Sequence, residues 1–255
     1  MNRQLAAFDP VRSALDGLGA EAVDLWLRDD DATRATVELD RFVAFCRGGG
    51  VAPLFAVIPG SLEESLIAAA AGWPGSWRIG VHGYAHRNRA DAGAKKSEFP
   101  AHLDVATARA ELIAGRALIA KAFGGRALPV FVPPWNRIGT AQAAALSDCG
   151  FAALSTFARA HVAQPPSKVR VVNTHVDLID WRGGRVGKPI AVLANELATA
   201  VSSFRGPIGI LTHHLDHDAA CDAALQAIMQ FVQDDARLRW RTPEAVFQAL
   251  AGQVD

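Results

Sequence analysis

Residues 26–33 read WLRDDDAT: two apolar residues, an arginine and three consecutive aspartates before Ala32 and Thr33. Adjacent carboxylates repel one another, and a β-strand disfavours Asp. The preceding segment, EAVDLWLR (21–28), has the apolar content of a strand and leads straight into the triplet. Outward from it, apolar strand candidates alternate with helical stretches. Helical periodicity with a glycine stop covers 35–50, a strand candidate 51–60, and a helix 61–72 that opens on a Ser-x-x-Glu capping box. A short strand then runs into histidines (77–86), and 87–103 is a polar loop. Helices are predicted over 104–125, 140–150, 189–206 and 218–236, with extended segments at 127–136, 151–157, 168–181 and 207–214. A short RLRW strand and the helix PEAVFQALAG close the chain.

No repeat and no linker divides the 255 residues, so the reading is one α/β domain over 1–255. Strand–helix alternation of this length predicts a parallel sheet covered by helices, as a barrel or a doubly wound sheet. The aspartates, a first histidine pair, the PPWN segment, the IDW segment and a second histidine pair each fall at the C-terminal end of a predicted strand. In a barrel of parallel strands that end builds the active site.

Lys+Arg and Asp+Glu are both 26, so no basic field exists to attract nucleic acid or an anionic membrane surface. Cys46, Cys149 and Cys221 are far apart, odd in number and lack metal-ligand spacing, as expected of small buried hydrophobes in a reducing compartment. No uncharged apolar run approaches a bilayer span, and the first twenty residues mix charges among apolar positions. The expectation is a cytoplasmic protein, with no membrane or nucleic-acid partner and an oligomeric state left open.

GVHGYAH places His82 and His86 four apart, sharing one face if the intervening turn is helical. The pair reads either as surface histidines or as a chelate, and the clustered aspartates favour the chelate. Two His and one carboxylate leave open positions for water and substrate, as catalytic rather than structural sites do. A second aspartate could then remain free beside the ion as a general base.

In this order, the aspartates, H-x-x-x-H, FVPPWN (131–136), VDLIDW (176–181) and ILTHH (210–214) resemble the polysaccharide deacetylase family, the NodB-homology or family 4 carbohydrate esterases. The resemblance covers roughly residues 21 to 217, through five motifs that are individually weak. It implies a distorted (β/α)7 TIM-like barrel. Against the family pattern Thr-Phe-Asp-Asp-Gly, Arg28 takes the Thr place, Asp30 becomes the base and Asp31 the metal ligand, with His82 and His86 completing the site. A register one residue earlier would make Asp29 the base and Asp30 the ligand. By resemblance Trp181 walls the pocket, and Asp180 orients the acid, His213, with His214 where the family has Asp. A carboxylate on one ring nitrogen would fix the tautomer and raise the pKa.

One departure bears on activity. Val132 stands where the family has the arginine that steadies the base, and Arg28, or less directly Arg137, is the candidate replacement. Trp135 and Asn136 fall at the pocket, Trp135 as a wall or as plain core packing. Lys95, Lys96 and Glu98 belong either to a solvated loop or to one reaching over the mouth, and His175 reads as structural. The implied reaction is metal-assisted amide hydrolysis, with Zn²⁺ or another divalent first-row ion. N-acetyl removal from an amino sugar is the first expectation. A small non-sugar amide or cyclic imide is the second, and a catalytically silent carbohydrate-binding relative the third. A cytoplasmic setting favours a nucleotide-linked sugar or small metabolite over cell-wall polymer.

Overall fold

The computed structural model describes residues 3–19, 22–158, 168–203 and 206–248. Among them the strands are β1 (Val23–Ala32), β2 (Leu54–Val57), β3 (Arg78–His82), β4 (Ala127–Val132), β5 (Ala153–Leu154), β6 (Arg170–Val171), β7 (Thr174–Asp177), β8 (Ile179–Asp180), β9 (Val186–Gly187), β10 (Ile208–Thr212) and β11 (Leu238–Trp240). The main sheet runs β6-β5-β4-β3-β2-β1-β10-β7, and β11 joins the start of β1. Every pair in it is parallel, as buried strands joined by crossover helices must be. β6 and β7 are two stretches of one strand: Ala153 faces Arg170, and Phe157 faces Thr174 at the same offset. The pairing therefore returns on itself through Phe157 and Thr174, giving the expected seven-stranded barrel.

Alternation along the strands sorts side chains between two cores. Trp26, Leu54, Ala56, Leu128, Val130, Val132, Ala153 and Val172 fill the barrel, with Val246 from the closing helix (Pro243–Gln248) below them. Leu25, Leu27, Phe55, Val57, Ile79 and Val81 face outward into the helix layer. That layer includes helices 37–48, 105–123, 190–203 and 219–234. Their caps explain several starts: Thr36, Asp104 and Asp218 each accept a backbone N–H from their helix's first turn. At Gly209 on β10 a Cβ would lie 2.8 Å from the Trp26 ring, so this inward position admits only glycine.

Three local expectations need correction. β1 does not stop at Arg28 but continues through Asp29, Asp30 and Asp31 to Ala32, because each carboxylate finds partners that offset the strand's aversion to Asp. The capping box at Ser61 does not form: Pro59–Ser61 takes a tight 3-10 turn, Leu62 is extended, and the helix begins only at Glu64. His82 and His86 are not joined by a helical turn but by a loop with Gly83 at φ 61° and His86 at φ 54°. Residues 249–252 of the predicted closing helix lie outside the described residues. No described helix is long and apolar enough to cross a membrane.

Candidate active site

Strand geometry separates the three aspartates. Trp26, Arg28 and Asp30 share the inward face of β1, and Leu27 and Asp29 the outward face. Asp31 breaks the alternation: its φ is 74°, and the β1–β2 register shifts between Asp29 and Ala32. A non-glycine residue there is strained. The bulge turns its carboxylate to the mouth of the barrel, where Oδ1 lies 3.0 Å from His82 Nε2 and 3.2 Å from His86 Nε2.

These three atoms fit a metal centre. His82 Nδ1 is 3.0 Å from the Val132 carbonyl oxygen, which makes it the donor there and turns Nε2 toward Asp31 as the atom available to a metal. Asp31 Oδ1 is buried yet makes no hydrogen bond. A carboxylate oxygen and two imidazole nitrogens converging within these distances offer three ligand atoms to a divalent cation. Zinc bonds of about 2.0–2.1 Å in a tetrahedron put ligand atoms roughly 3.3 Å apart, close to the spacing present. Burial opposes ionisation of Asp31, but His82 and His86 outweigh it and hold the carboxyl well below the usual range. Burial also disfavours charge on His82, and Asp30 and Asp31 outweigh it to raise its pKa.

The loop carrying His86 is set by Glu98, which is neither solvated nor reaching over the mouth as its loop position suggested. Glu98 is fully buried and accepts backbone N–H from Tyr84 (3.0 Å), Ala85 (2.8 Å) and Arg87 (3.3 Å). These donors make the nest that a buried carboxylate requires. Gly83 allows its approach, since any Cβ would collide with the Glu98 carboxylate and Pro134. No sequence signal separates Glu98 from the solvated charges around it.

Arg28 is fully buried, and all five of its donors have acceptors nearby. Nη2 donates to Asp30 Oδ2 at 3.0 Å and to Asn136 Oδ1 at 2.7 Å. Nη1 donates to the Ser155 carbonyl at 3.1 Å and its hydroxyl at 2.8 Å. Nε is 2.9 Å from Asp30 Oδ1, an ion pair too bent for a hydrogen bond. Val132 points into the same barrel interior without charge. The missing cation is thus supplied from two residues before the aspartate, on one strand face; Arg137 instead donates to the Lys96 carbonyl.

His213 and His214 diverge just past the end of β10, where His213 is still extended and His214 opens a 3-10 turn. His213 lines the mouth with Nε2 4.0 Å from Asp30 Oδ2, while Trp181 packs edge-on against its ring at 4.7 Å. His214 turns outward to Asp29, with Nδ1 2.5 Å from Oδ1. Asp29 also accepts from Thr212 Oγ1 and the His214 N–H. Burial works against both charges, yet their pairing lowers the Asp29 pKa and raises that of His214.

Asp180 does not orient His213. Its carboxylate accepts Arg182 N–H (3.1 Å) and Gly183 N–H (2.9 Å) inside the β8–β9 hairpin, and His213 Nδ1 is buried without a hydrogen-bond partner. An Asx turn has taken the carboxylate. Asp177 acts nearby instead, accepting Trp181 Nε1–H at 2.8 Å. A β7 bulge against β10 brings Asp177 inward. On the opposite wall Trp135 packs on His86 at 4.4 Å, and Trp135 and Asn136 both have positive φ, 55° and 57°. Of the five non-glycine residues with positive φ among those described, four (Asp31, His86, Trp135 and Asn136) stand at this site. His175 is away from it, accepting the Gly209 N–H at 3.0 Å.

Solved structures share this arrangement of strands. A family 4 carbohydrate esterase from Streptomyces lividans, in complex with acetate, superposes with a TM-score of 0.56 at 18% identity, over 86% of this chain and 92% of that one. The chain has the fold of the family 4 carbohydrate esterases. An acetyl xylan esterase of that family from Clostridium thermocellum, holding a cobalt ion, matches at 0.56 and 16% identity, over 89% and 92% of the two chains. The same fold occurs in a family 4 pseudoenzyme from Bacillus anthracis, at 0.55 and 16% identity over 87% and 64%. No protein-family model and no curated protein matches the sequence.

Proposed function

We propose that the chain is a divergent family 4 carbohydrate esterase, a metal-dependent hydrolase that removes an N-acetyl group from an amino sugar or glycan. The observation carrying this reading is the buried Arg28–Asp30 pair beside the Asp31–His82–His86 triad. A fold that also serves a pseudoenzyme does not guarantee activity, whereas a base with its counter-cation rebuilt on its own strand is what a silent relative has no need to keep.

Asp31, His82 and His86 would hold the divalent ion, Zn²⁺ by ligand type or another first-row metal. When bound, such an ion polarises a carbonyl and lowers the pKa of water. Asp30 takes a proton from the attacking water, through the carboxylate that Arg28 orients and balances in charge. His213 delivers a proton to the departing amine nitrogen, so a neutral amine leaves. Trp135 and Trp181 wall the pocket. Asn136, whose Oδ1 is engaged by Arg28, keeps its amide hydrogens for the substrate.

Metal analysis combined with acetate release from a panel of N-acetyl sugars tests the proposal. Stoichiometric divalent metal with acetate release is expected. Metal without acetate, but with turnover of small amides or cyclic imides, would move the reaction to that class. A protein that takes up no divalent ion would end the hydrolase reading.

A further inference from the structure

Both tryptophan walls of the mouth carry a cation over their rings, but the two are not equivalent. Arg185 lies 5.3 Å from the Trp181 ring centre and is neutralised by Asp216 at 3.0 Å. Lys96 Nζ lies 5.9 Å from the Trp135 ring centre. Among the described residues it has no carboxylate within 4.0 Å. Arg137 stands beside it, donating through Nη1 to the Lys96 backbone carbonyl at 3.1 Å, a neutral acceptor. It too lacks a carboxylate within 4.0 Å among the described residues, although it is only partly exposed. Withdrawal from water accordingly pulls its pKa down. An arginine of the same loop is neutralised where structure asks for it, since Arg89 is paired at both terminal nitrogens with Glu111 of the helix 105–123. A guanidinium drawn partly out of water without an acid partner has its cost offset when an anion arrives.

We propose that the substrate carries an anionic group, a carboxylate or a phosphate, received beside Trp135 by Lys96 and Arg137. This deepens the hydrolase reading and rests on it. Trp135 packs on His86 at 4.4 Å, so one indole ring links the Lys96 cation to the triad. A planar guanidinium can donate two parallel hydrogen bonds to either anion, and the ammonium adds a point charge.

The test compares kcat/KM for acetate release from N-acetylglucosamine, its 6-phosphate and N-acetylmuramic acid, for wild type, Lys96→Met and Arg137→Gln. Wild type should prefer an anionic sugar by about tenfold or more, a preference that shrinks in both variants and at high salt. Which anionic sugar leads separates phosphate from carboxylate. Equal rates on neutral and anionic sugars, or a preference that survives both substitutions, would overturn the proposal. If no sugar releases acetate, the reaction reading has failed, and tryptophan-fluorescence titration with the same three sugars decides the anion site separately. Quenching by the anionic sugars alone, weakened in Arg137→Gln, supports it; no difference between neutral and anionic sugars refutes it.

Discussion

Two neighbouring aspartates and two neighbouring histidines make two pairs of the same residue types, one inside and one outside the barrel where β1 meets the end of β10. On the outward face Asp29 and His214 close to 2.5 Å, and Asp29's remaining oxygen is filled by Thr212 and a backbone N–H. On the inward face Asp30 and His213 stay 4.0 Å apart, Asp30 Oδ1 and His213 Nδ1 make no hydrogen bonds, and Arg28 holds the carboxylate from below. A saturated pair ties the strands to the helix layer and has nothing left to offer a substrate. An unsaturated pair at a barrel mouth is costly to fold and available for chemistry. One residue of strand alternation separates the two outcomes.

The largest effect expected on the inward side is at the triad that completes it. His82→Ala should lose stoichiometric metal, read by elemental analysis, and lower kcat by about a thousandfold or more. Retained stoichiometric metal would break the ligand assignment. Next, Arg28→Met leaves Asp30 buried without its cation, which should cost about 3–5 kcal/mol of stability and roughly a hundredfold in kcat. Because Val132 points into the same interior, adding Val132→Arg to that variant should restore part of both, measured by thermal melts and acetate release. No rescue would mean that the guanidinium's position, not its charge, is what matters.

The outward pair sharpens the register of the aspartate triplet. Asp29→Asn should destabilise the fold by about 3–5 kcal/mol through the buried His214 left without its partner. The fraction that remains folded should keep its kcat. If the Asp29→Asn protein were instead stable and had lost turnover, the base would return to Asp29 and the inward-outward distinction would be undone.

Much of this division could be read from the chain, and some could not. Alternation alone predicts that Arg28 and Asp30 share a face and that only one of His213 and His214 enters the site, because period-2 geometry is local. What escaped reading depends on backbone left-handedness and on partners far along the chain. Nothing in DDDA announces that Asp31 adopts a positive φ, nor in YAH that His86 does. Glu98 looks like any loop charge until three amides from residues 84–87 converge on it. Asp180 was misread for the converse reason: its motif place suggested a distant histidine, and two glycines after Arg182 gave it a turn to cap instead.

A third imidazole gives a smaller and pH-dependent break. His175 is partly buried, and burial lowers its pKa from 6.5 to about 4. Between those values the unfolded chain binds the proton more readily than the folded one. Stability from this group is therefore complete above about pH 6.5 and declines as pH falls toward 4, by no more than about 1.4 kcal/mol per pH unit. Urea melts of wild type and His175→Gln across that window should converge at the acid end. A constant gap would show that protonation of this ring is not what the fold resists.

The smallest effect is expected where the inward histidine lacks the carboxylate that the motif promised. With Nδ1 unpartnered, the His213 ring is placed by the Trp181 edge, and Trp181 is in turn placed by its N–H bond to Asp177. Trp181 is 40% exposed, so this bond is what keeps the ring from leaving for solvent. Trp181→Phe retains an aromatic edge but removes the donor, and should lower kcat by about three- to tenfold, roughly 1 kcal/mol, with KM moving less. Asp177→Asn should act through the same bond, so the double variant should be little worse than the worse single one. Additive losses would detach Asp177 from Trp181. Restoration of full activity by a carboxylate placed to reach His213 Nδ1 would show that the ring has been running with an orienting partner missing, rather than with a different one.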